Sequence, residues 1–193
     1  MASLSALAQG FISMNWFGGG DPTVGIKIGS PSNPSSQLPG WFVSGDYSVE
    51  AYMASGTGVA ESSLTPASNT KTTFIGGATS SASGSPATDG SGLFQAGAQD
   101  TGLPLGADTI QIRAWYDPNH NTSYEQALAA GLNTGKSAVL SINGVTSTDP
   151  TIQSLDDIHM AAFTVSASVV PEPSTFALAG LGAAAMLIFR RRK

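Results

Sequence analysis

The clearest pattern in the chain is a strict alternation of apolar and polar residues in two segments, residues 109–116 and residues 161–169. In the first, Ile110, Ile112 and Ala114 point to one side if the backbone is extended. A period of two is typical of a β-strand with one buried face, so we predict two strands whose apolar faces share one core. The opposite face of the first strand carries Thr109, Gln111 and Arg113, and the apolar face of the second carries Ala161, Phe163, Val165, Ala167 and Val169.

Shorter apolar segments predict further strands, and Gly, Ser and Pro mark the turns between them. The further strands are predicted at residues 11–17, 24–28, 47–54, 72–75, 93–96 and 138–142, the last ending at the turn pair Asn143-Gly144. Residues 29–39 and 76–92 are rich in Gly, Ser and Pro and are predicted as loops. About eight short strands separated by turns favour a mainly β fold, an antiparallel β-sandwich.

One short helix is predicted at residues 123–130. Ser123 with Gln126 three residues later has the spacing of a capping box, and Gly131 can adopt the left-handed conformation that ends a helix. Trp115 precedes this helix by only eight residues, so we predict that its ring packs beneath the helix.

Residues 170–193 have a different character. Pro171 and Pro173 lack amide donors and interrupt regular structure on either side of Glu172. Residues 176–189 then form an uncharged run that spans about 21 Å as a helix, enough to cross a locally thinned bilayer as a single transmembrane helix. Its large apolar side chains are Phe176, Leu178, Leu181, Leu187, Ile188 and Phe189, and the basic cluster that ends it is Arg190, Arg191, Arg192 and Lys193. Clustered basic residues stay on the cytoplasmic side, which predicts that the body lies outside.

These three parts, in this order, resemble the PEP-CTERM sorting signal of Gram-negative bacteria. The resemblance implies an exosortase-type membrane enzyme as a partner, a location in the cell envelope with the body outside the membrane, and release to the surface or matrix as an alternative end state. It also implies association with exopolysaccharide, which accompanies exosortase systems.

An exported body requires a signal at the other end of the chain. Residues 1–8 end in Ala6-Leu7-Ala8, the pattern that precedes a signal-peptidase cut, but lack a basic segment and a full apolar core. We therefore interpret residues 1–8 as the remnant of a signal peptide whose beginning lies upstream, with an ordinary N-terminus as the alternative. The predicted organisation is a signal remnant at 1–8, a β-sandwich body at 9–169 and a sorting tail at 170–193.

Composition narrows the function of the body. Charged residues make up 11% of the chain and cysteine is absent, which excludes cysteine hydrolases and cysteine-ligated metal sites. Residues 1–169 contain four basic and twelve acidic residues, a formal net charge of −8, so nucleic acid is not an expected partner.

Motifs that could bind a ligand or a metal ion are few and imperfect. Residues 131–137 suggest a phosphate-binding loop, but the glycines are four apart where five are required, and a turn explains them better. Asp117, Asn119 and Asn121 alternate as calcium ligands do, but Thr122 and Leu128 stand where such a loop needs Gly and Glu. We keep calcium as the alternative to a turn and expect no other cofactor.

Catalysis is not expected. The chain has two histidines, His120 and His159, and no Gly-x-Ser-x-Gly segment, so no nucleophilic triad can be assigned. We predict a non-enzymatic envelope or matrix protein. The alternative is a carbohydrate-binding module that stacks sugars on aromatic rings, for which Trp41, Tyr52 and Trp115 are the candidates.

The body carries a looser resemblance of its own, to uncharacterised PEP-CTERM proteins of verrucomicrobial type. It rests on an alternating strand ending in Arg113-Ala114-Trp115-Tyr116-Asp117, the Ala-rich helix, and Gly135-Lys136-Ser137-Ala138. This resemblance implies the fold and the location and says nothing about chemistry.

Overall fold

The computed structural model describes residues 9–21, 24–76, 89–146 and 148–168. The predicted signal remnant and sorting tail lie outside these residues. In chain order the elements are β1 (Gln9–Trp16), β2 (Lys27–Ile28), β3 (Tyr47–Ser55), β4 (Thr65–Pro66), β5 (Thr72–Thr73), β6 (Phe94–Pro104), β7 (Gly106–Tyr116), α1 (Tyr124–Ala129), β8 (Asn133–Lys136), β9 (Leu140–Gly144) and β10 (Thr164–Ala167). Three short 3-10 turns lie at Gly18–Gly20, Glu61–Ser63 and Ser68–Thr70.

The described strands form two sheets. One contains eight strands in the order β2-β10-β8-β7-β3-β4, with β5 paired to β3 and β9 paired to β7. The other contains only β1 and β6, which pair in antiparallel fashion. The mainly β character with one short helix is therefore confirmed, but the fold is not wholly antiparallel, because β2 and β10 run parallel.

The two sheets share one apolar core. The β3–β7 ladder directs Val49, Ala51 and Ile112 to the same face, against Ile12 and Trp16 of β1. Val165 is fully buried in this core and Phe163 packs against it, so the predicted union of the two segments is confirmed at these residues. The second strand is shorter than predicted, Thr164–Ala167, and Ala161 is exposed. The other main members are Met14, Ile26, Tyr47, Met53, Phe94, Ile110 and Ala114.

The helix forms as its capping signals predict. The Ser123 hydroxyl accepts a hydrogen bond from the Gln126 amide, and the Gln126 side chain accepts one from the Ser123 amide. Gly131 follows with φ of +66°, the left-handed conformation expected after the last turn. Both ends of the helix are therefore satisfied locally, and the prediction is confirmed.

Two turn predictions were wrong, one at β8 and one at the end of β9. Residues 133–136, interpreted as part of a turn, form β8 between β7 and β10. Asn143 and Gly144, interpreted as a turn pair, continue β9 and pair with Ala107 and Gly106. In both places pairing to neighbouring strands overrides the local turn tendency of Asn and Gly.

Candidate functional site

The face of the β3–β7 ladder that points away from the apolar core is covered by α1. Trp115 lies on this face with none of its surface exposed. Its indole Nε1 donates a hydrogen bond to the Thr122 carbonyl at 3.2 Å, and its ring meets that of Tyr124 edge-on at 6.2 Å between centroids. Trp115 therefore supports the helix, and its ring is not offered to a glycan.

Arg113 occupies the centre of the same face. Its guanidinium lies 3.8 Å from the centroid of the Tyr52 ring and 5.1 Å from that of Tyr124. Its Nε donates to Gln111 Oε1 at 3.0 Å, and its Nη1 lies 3.5 Å from Glu125 Oε1. Cation–π stacking and one ion pair thus fix the guanidinium between the sheet and the helix.

The prediction that Tyr52 is available for sugar stacking is wrong. The ring is only 1% exposed because Arg113 and the helix cover it. Its hydroxyl donates to both carboxylate oxygens of Glu125, at 2.8 and 2.9 Å. Burial, together with the Glu125 carboxylate, raises the pKa of Tyr52 well above its ordinary value, so the hydroxyl stays a donor.

Glu50 lies on the same face of β3, two residues before Tyr52, and is buried. Burial raises the pKa of its carboxyl; the Lys71 ammonium opposes the rise and the Glu125 carboxylate adds to it. The second carboxyl group near this face, Glu125 of α1, has a side chain that is 57% exposed, so the two groups do not form the buried pair that is typical of acid–base sites. Here the second carboxylate is occupied by the Tyr52 hydroxyl and by Arg113, which is a supporting arrangement for the helix.

Asp117 organises the loop between β7 and α1. One carboxylate oxygen accepts from the amides of Asn121 and Thr122, and the other from Ser48 Oγ at 2.9 Å and Lys71 Nζ at 3.1 Å. Burial alone would raise the pKa of Asp117. The hydrogen bonds outweigh burial and hold this pKa below its ordinary value, and the bond from Lys71 contributes most among them. The carboxylate is already neutralised by an ammonium, so this geometry favours the turn over the calcium alternative.

The resemblance of residues 131–137 to a phosphate-binding loop has a structural explanation at each position. A Cβ on Gly135 would lie 2.3 Å from the Thr164 carbonyl oxygen of β10, so only glycine fits there. Lys136 forms an ion pair with Glu61. Ser137 Oγ accepts a hydrogen bond from the Ile112 amide at 3.0 Å. These residues hold β7, β8 and β10 together.

The histidines do not complete a catalytic arrangement in the described residues. Ser48 Oγ lies 3.4 Å from His120 Nδ1, but Ser48 is fully buried and its hydroxyl donates to Asp117, so the histidine does not stand between the other two groups. His159 lies in the loop before β10, next to Asp156, whose carboxylate accepts the amides of Phe17 and Gly19. Within the described part of the chain, no group of three or more His, Cys, Asp or Glu side chains could hold a metal ion.

Of the three residues predicted to stack on sugars, Tyr52 and Trp115 are buried and only Trp41 is not. It is half-buried, packed at the margin of the apolar core next to the exposed Leu38. Its amide donates to the Leu38 carbonyl and its carbonyl accepts from the Ile28 amide, which fixes its backbone against β2.

A groove of about 290 Å³ opens at the other end of β2, where β2 and β10 begin. Lys27 lies at this groove, with its Nζ 4.6 Å from the centroid of the Phe42 ring. The other three cations of the body form ion pairs, Lys71 with Asp117, Arg113 with Glu125 and Lys136 with Glu61. The groove is lined by Val24, Gly25, Lys27, Ala162, Phe163 and Thr164.

The remaining candidate is the tail, which begins directly after β10. Residues 169–193 match the PEP-CTERM protein-sorting motif. The motif includes the predicted Pro171, Glu172 and Pro173, the apolar run and the basic cluster. It marks an exported or cell-envelope protein and implies processing by an exosortase-type enzyme. Apart from this match, no curated protein and no solved structure matches the chain.

The match identifies the sorting signal but does not test the predicted transmembrane helix. In the part of the chain that the structure describes, no helix is long and apolar enough to cross a membrane. The predicted span at residues 176–189 lies outside that part. The resemblance of the body to verrucomicrobial-type proteins likewise stays a prediction.

Sequence reasoning missed two structural features of the body, the Arg113–Tyr52–Glu125 cluster and the Lys27 groove. Each joins residues from separate elements, so spacing along the chain carries no signal for it. The sequence offered one indication. Arg113 lies on the polar face of a predicted strand that a helix follows, and a long charged side chain can extend over apolar groups of such a neighbouring element.

Proposed function

We propose that this chain is a non-enzymatic envelope protein whose body is presented outside the membrane by its PEP-CTERM tail. The match at residues 169–193 carries the proposal. The apolar run at 176–189 would insert in the membrane and the four terminal cations would stay on the cytoplasmic side. Burial of the polar side chains beneath α1 supports a structural rather than a catalytic body.

The anchoring step can be tested by fractionation. The full chain, expressed behind an efficient signal peptide, is compared with a variant in which Arg190, Arg191, Arg192 and Lys193 are replaced by Ser or Gln. We expect the wild type in the membrane fraction and the variant to lose membrane retention. Lys136→Gln, which neutralises one cation of the body, is the control and should fractionate as the wild type does. Unchanged retention of the tail variant would refute anchoring through the basic cluster.

Sorting can be tested separately from anchoring. Replacing Pro171, Glu172 and Pro173 by Ala leaves the apolar run and the cations in place. In a host that contains an exosortase-type enzyme, the variant should accumulate in the membrane while the wild type is processed. Identical processing of the two proteins, read from their mass, would show that these three residues are not what the enzyme recognises.

Association with exopolysaccharide is the second candidate function, and the Lys27 groove is the observation that favours it. Among the residues that the structure describes, Lys27 is the one cation without an ion pair, although residues 1–169 carry a formal net charge of −8. A cation beside the apolar Phe42 and Phe163 suits a sugar ring that bears a carboxylate. The groove lies at the ends of β2 and β10 opposite to the tail, so an anchored body would keep it accessible.

Co-sedimentation of the full chain with purified acidic exopolysaccharide tests this candidate. Lys27→Glu should weaken retention by about tenfold, which corresponds to ~1.4 kcal/mol. The control with the same change in net charge is the double variant Thr65→Glu/Thr73→Glu, because both residues are exposed on strands paired to β3, away from β2 and β10 in the eight-stranded sheet. If both variants weaken retention equally, the interaction depends on net charge and the groove is not the site.

A further inference from the structure

The tail leaves the body beside one particular loop. β10 is an interior strand of the eight-stranded sheet and runs parallel to β2, with Val165 aligned to Ile28. Residues 29–41, which we call the exit loop, continue from the end of β2 in the same direction. The Ala167 amide donates to the Pro31 carbonyl at 2.8 Å, and the Gly29 amide donates to the Val165 carbonyl at 2.7 Å. The exit loop therefore borders the last strand residue before the sorting motif.

The exit loop is held in place on the side that faces the body. The Asn33 amide donates to Asn133 Oδ1 at 2.8 Å, and the Asn133 amide donates to the Asn33 carbonyl at 2.9 Å. Asn33 Nδ2 also donates to the Gly131 carbonyl. Where the loop returns to β2, the Gly40 amide donates to the Ile28 carbonyl at 2.7 Å. The loop thus presents a fixed outer surface.

That outer surface is uncharged, and its apolar part is the segment from Leu38 to Trp41. No charged residue occurs from residue 28 to residue 45. Leu38 is 46% exposed, Pro39 and Gly40 are exposed, and Trp41, which follows, is half-buried. Tryptophan is favoured at the membrane interface, where its apolar ring and its N–H group are both accommodated. Because the loop carries no charged side chain, moving it from water into this layer does not require the desolvation of an ion.

The length of chain that follows limits how far this surface can stand from a bilayer. Nine residues lead from Ala167 to Phe176, where the apolar run starts, and fully extended they reach roughly 30 Å. A surface tethered this closely meets the bilayer at a high effective concentration, so a small apolar patch suffices for contact.

We propose that the exit loop docks on the lipid surface, with Leu38 and Trp41 entering the interfacial layer beside the tail. The inference rests on the proposed membrane insertion of the tail and adds an orientation for the body. One end of the sheet then lies against the membrane, and the Lys27 groove is directed away from it.

The three tryptophans make the test direct. Trp16 and Trp115 are fully buried, so Trp41 is the one tryptophan that a lipid-borne quencher can reach. The full chain is reconstituted in vesicles of zwitterionic phosphatidylcholine, with and without brominated acyl chains near the headgroup. We expect the brominated lipid to quench the part of the emission that comes from Trp41. Trp41→Phe should remove this quenchable part while leaving the rest of the spectrum.

A matched pair of leucines separates docking from general surface hydrophobicity. Leu105 is 42% exposed and precedes β7, which runs in the same direction as β10 because both are antiparallel to β8. Leu105 therefore lies at the end of the sheet opposite the exit loop. Leu38→Asp should reduce quenching of Trp41 by brominated lipid and increase quenching by aqueous iodide, whereas Leu105→Asp should change neither.

The outcomes distinguish this inference from the anchoring proposal. Vesicle flotation reports insertion of the tail, and failure of the wild type to float would remove the anchoring proposal and this inference with it. Flotation without lipid quenching of Trp41 would overturn the inference alone. The same holds if Trp41 is not quenched by lipid but changes its emission when exopolysaccharide is added, because the ring would then belong to a glycan contact.

Discussion

The two faces of the β3–β7 ladder are both buried, but by different kinds of contact. On one face Val49, Ile110 and Ile112 pack against β1 with apolar contacts. On the other, Tyr52 and Trp115 are equally buried, yet they are surrounded by hydrogen bonds and the Arg113 guanidinium. Alternation along a strand therefore tells which residues share a face, and does not tell whether the polar face meets water. A helix of six residues is enough to bury it.

The difference predicts how each face tolerates substitution. The apolar face presents hydrophobic side chains around Ile112, so a charge placed there has no partner. The polar face has donors and acceptors that can rearrange, so changes there should cost less. The experiments below test this order.

Ile112→Asp should have the largest effect. Ile112 is 1% exposed in the apolar core, and an unpaired carboxylate there costs several kcal/mol, a large part of the total stability of a domain. We expect no cooperative thermal unfolding transition by circular dichroism. Ser141→Asp, at an exposed position of the neighbouring β9, should melt as the wild type does. A cooperative transition of the Ile112 variant at the wild-type temperature would place the core on the other face.

Trp115→Ala should come next. Removing a fully buried ring that supports α1 should lower the free energy of unfolding by about 3 kcal/mol or more. Trp41→Ala, at the margin of the core, should change it by less than about 1 kcal/mol. Urea denaturation followed by circular dichroism measures both. Equal losses would mean that Trp115 contributes no more than a surface ring does.

These two tryptophans also show what could be predicted from the sequence. The strand at 109–116 and the helix after it were predictable because alternation and a capping box are local signals. From them followed the burial of Trp115 beneath the helix. The exposure of Tyr52 was predicted wrongly, because its neighbours Arg113 and Glu125 come from two other elements.

The strands that were missed or shortened form for reasons that are not local. β6 extends to Pro104 although residues 95–104 are rich in Gly, Ala and Gln, because β1 provides backbone partners along its length with two register shifts. β8 forms because β7 and β10 lie on either side, so close that Gly135 has no room for a side chain. The sorting tail was the most predictable part, because its signal is linear in the chain.

Asp108 allows the complementary test, in which a charge is removed from the buried face and not added to it. It is fully buried, and among the described residues neither carboxylate oxygen has a hydrogen-bond partner. Burial raises the pKa of Asp108 from 3.8 to about 6. The folded state therefore binds more protons between these values. Its stability is greatest below the unfolded pKa and falls as the pH rises through the folded pKa.

Asp108→Asn should consequently stabilise the protein at pH 7 by ~1–3 kcal/mol and flatten the fall in stability between pH 4 and pH 6. Urea denaturation across this pH range measures the effect. Asp149→Asn is the control. Asp149 is half-buried and the pKa of its carboxyl is lowered by hydrogen bonds from Thr151, so its removal should bring no gain at pH 7. Identical stability of the Asp108 variant and the wild type at pH 7 would mean that the carboxylate is solvated in solution.

Arg113→Lys should have the smallest of these effects and tests the polar face. Lysine keeps the charge near Glu125 but loses the flat contact with the Tyr52 ring, which lies 3.8 Å from the guanidinium. We expect a loss of about 1 kcal/mol in the free energy of unfolding. Lys136→Met breaks an ion pair with Glu61 whose two side chains are 49% and 41% exposed, and should cost less than about 0.5 kcal/mol. If Arg113→Lys is neutral while Arg113→Met is costly, charge rather than stacking holds this face. Equal costs for the Lys and Met variants would instead assign the contribution to the stacked guanidinium, which is what the geometry predicts.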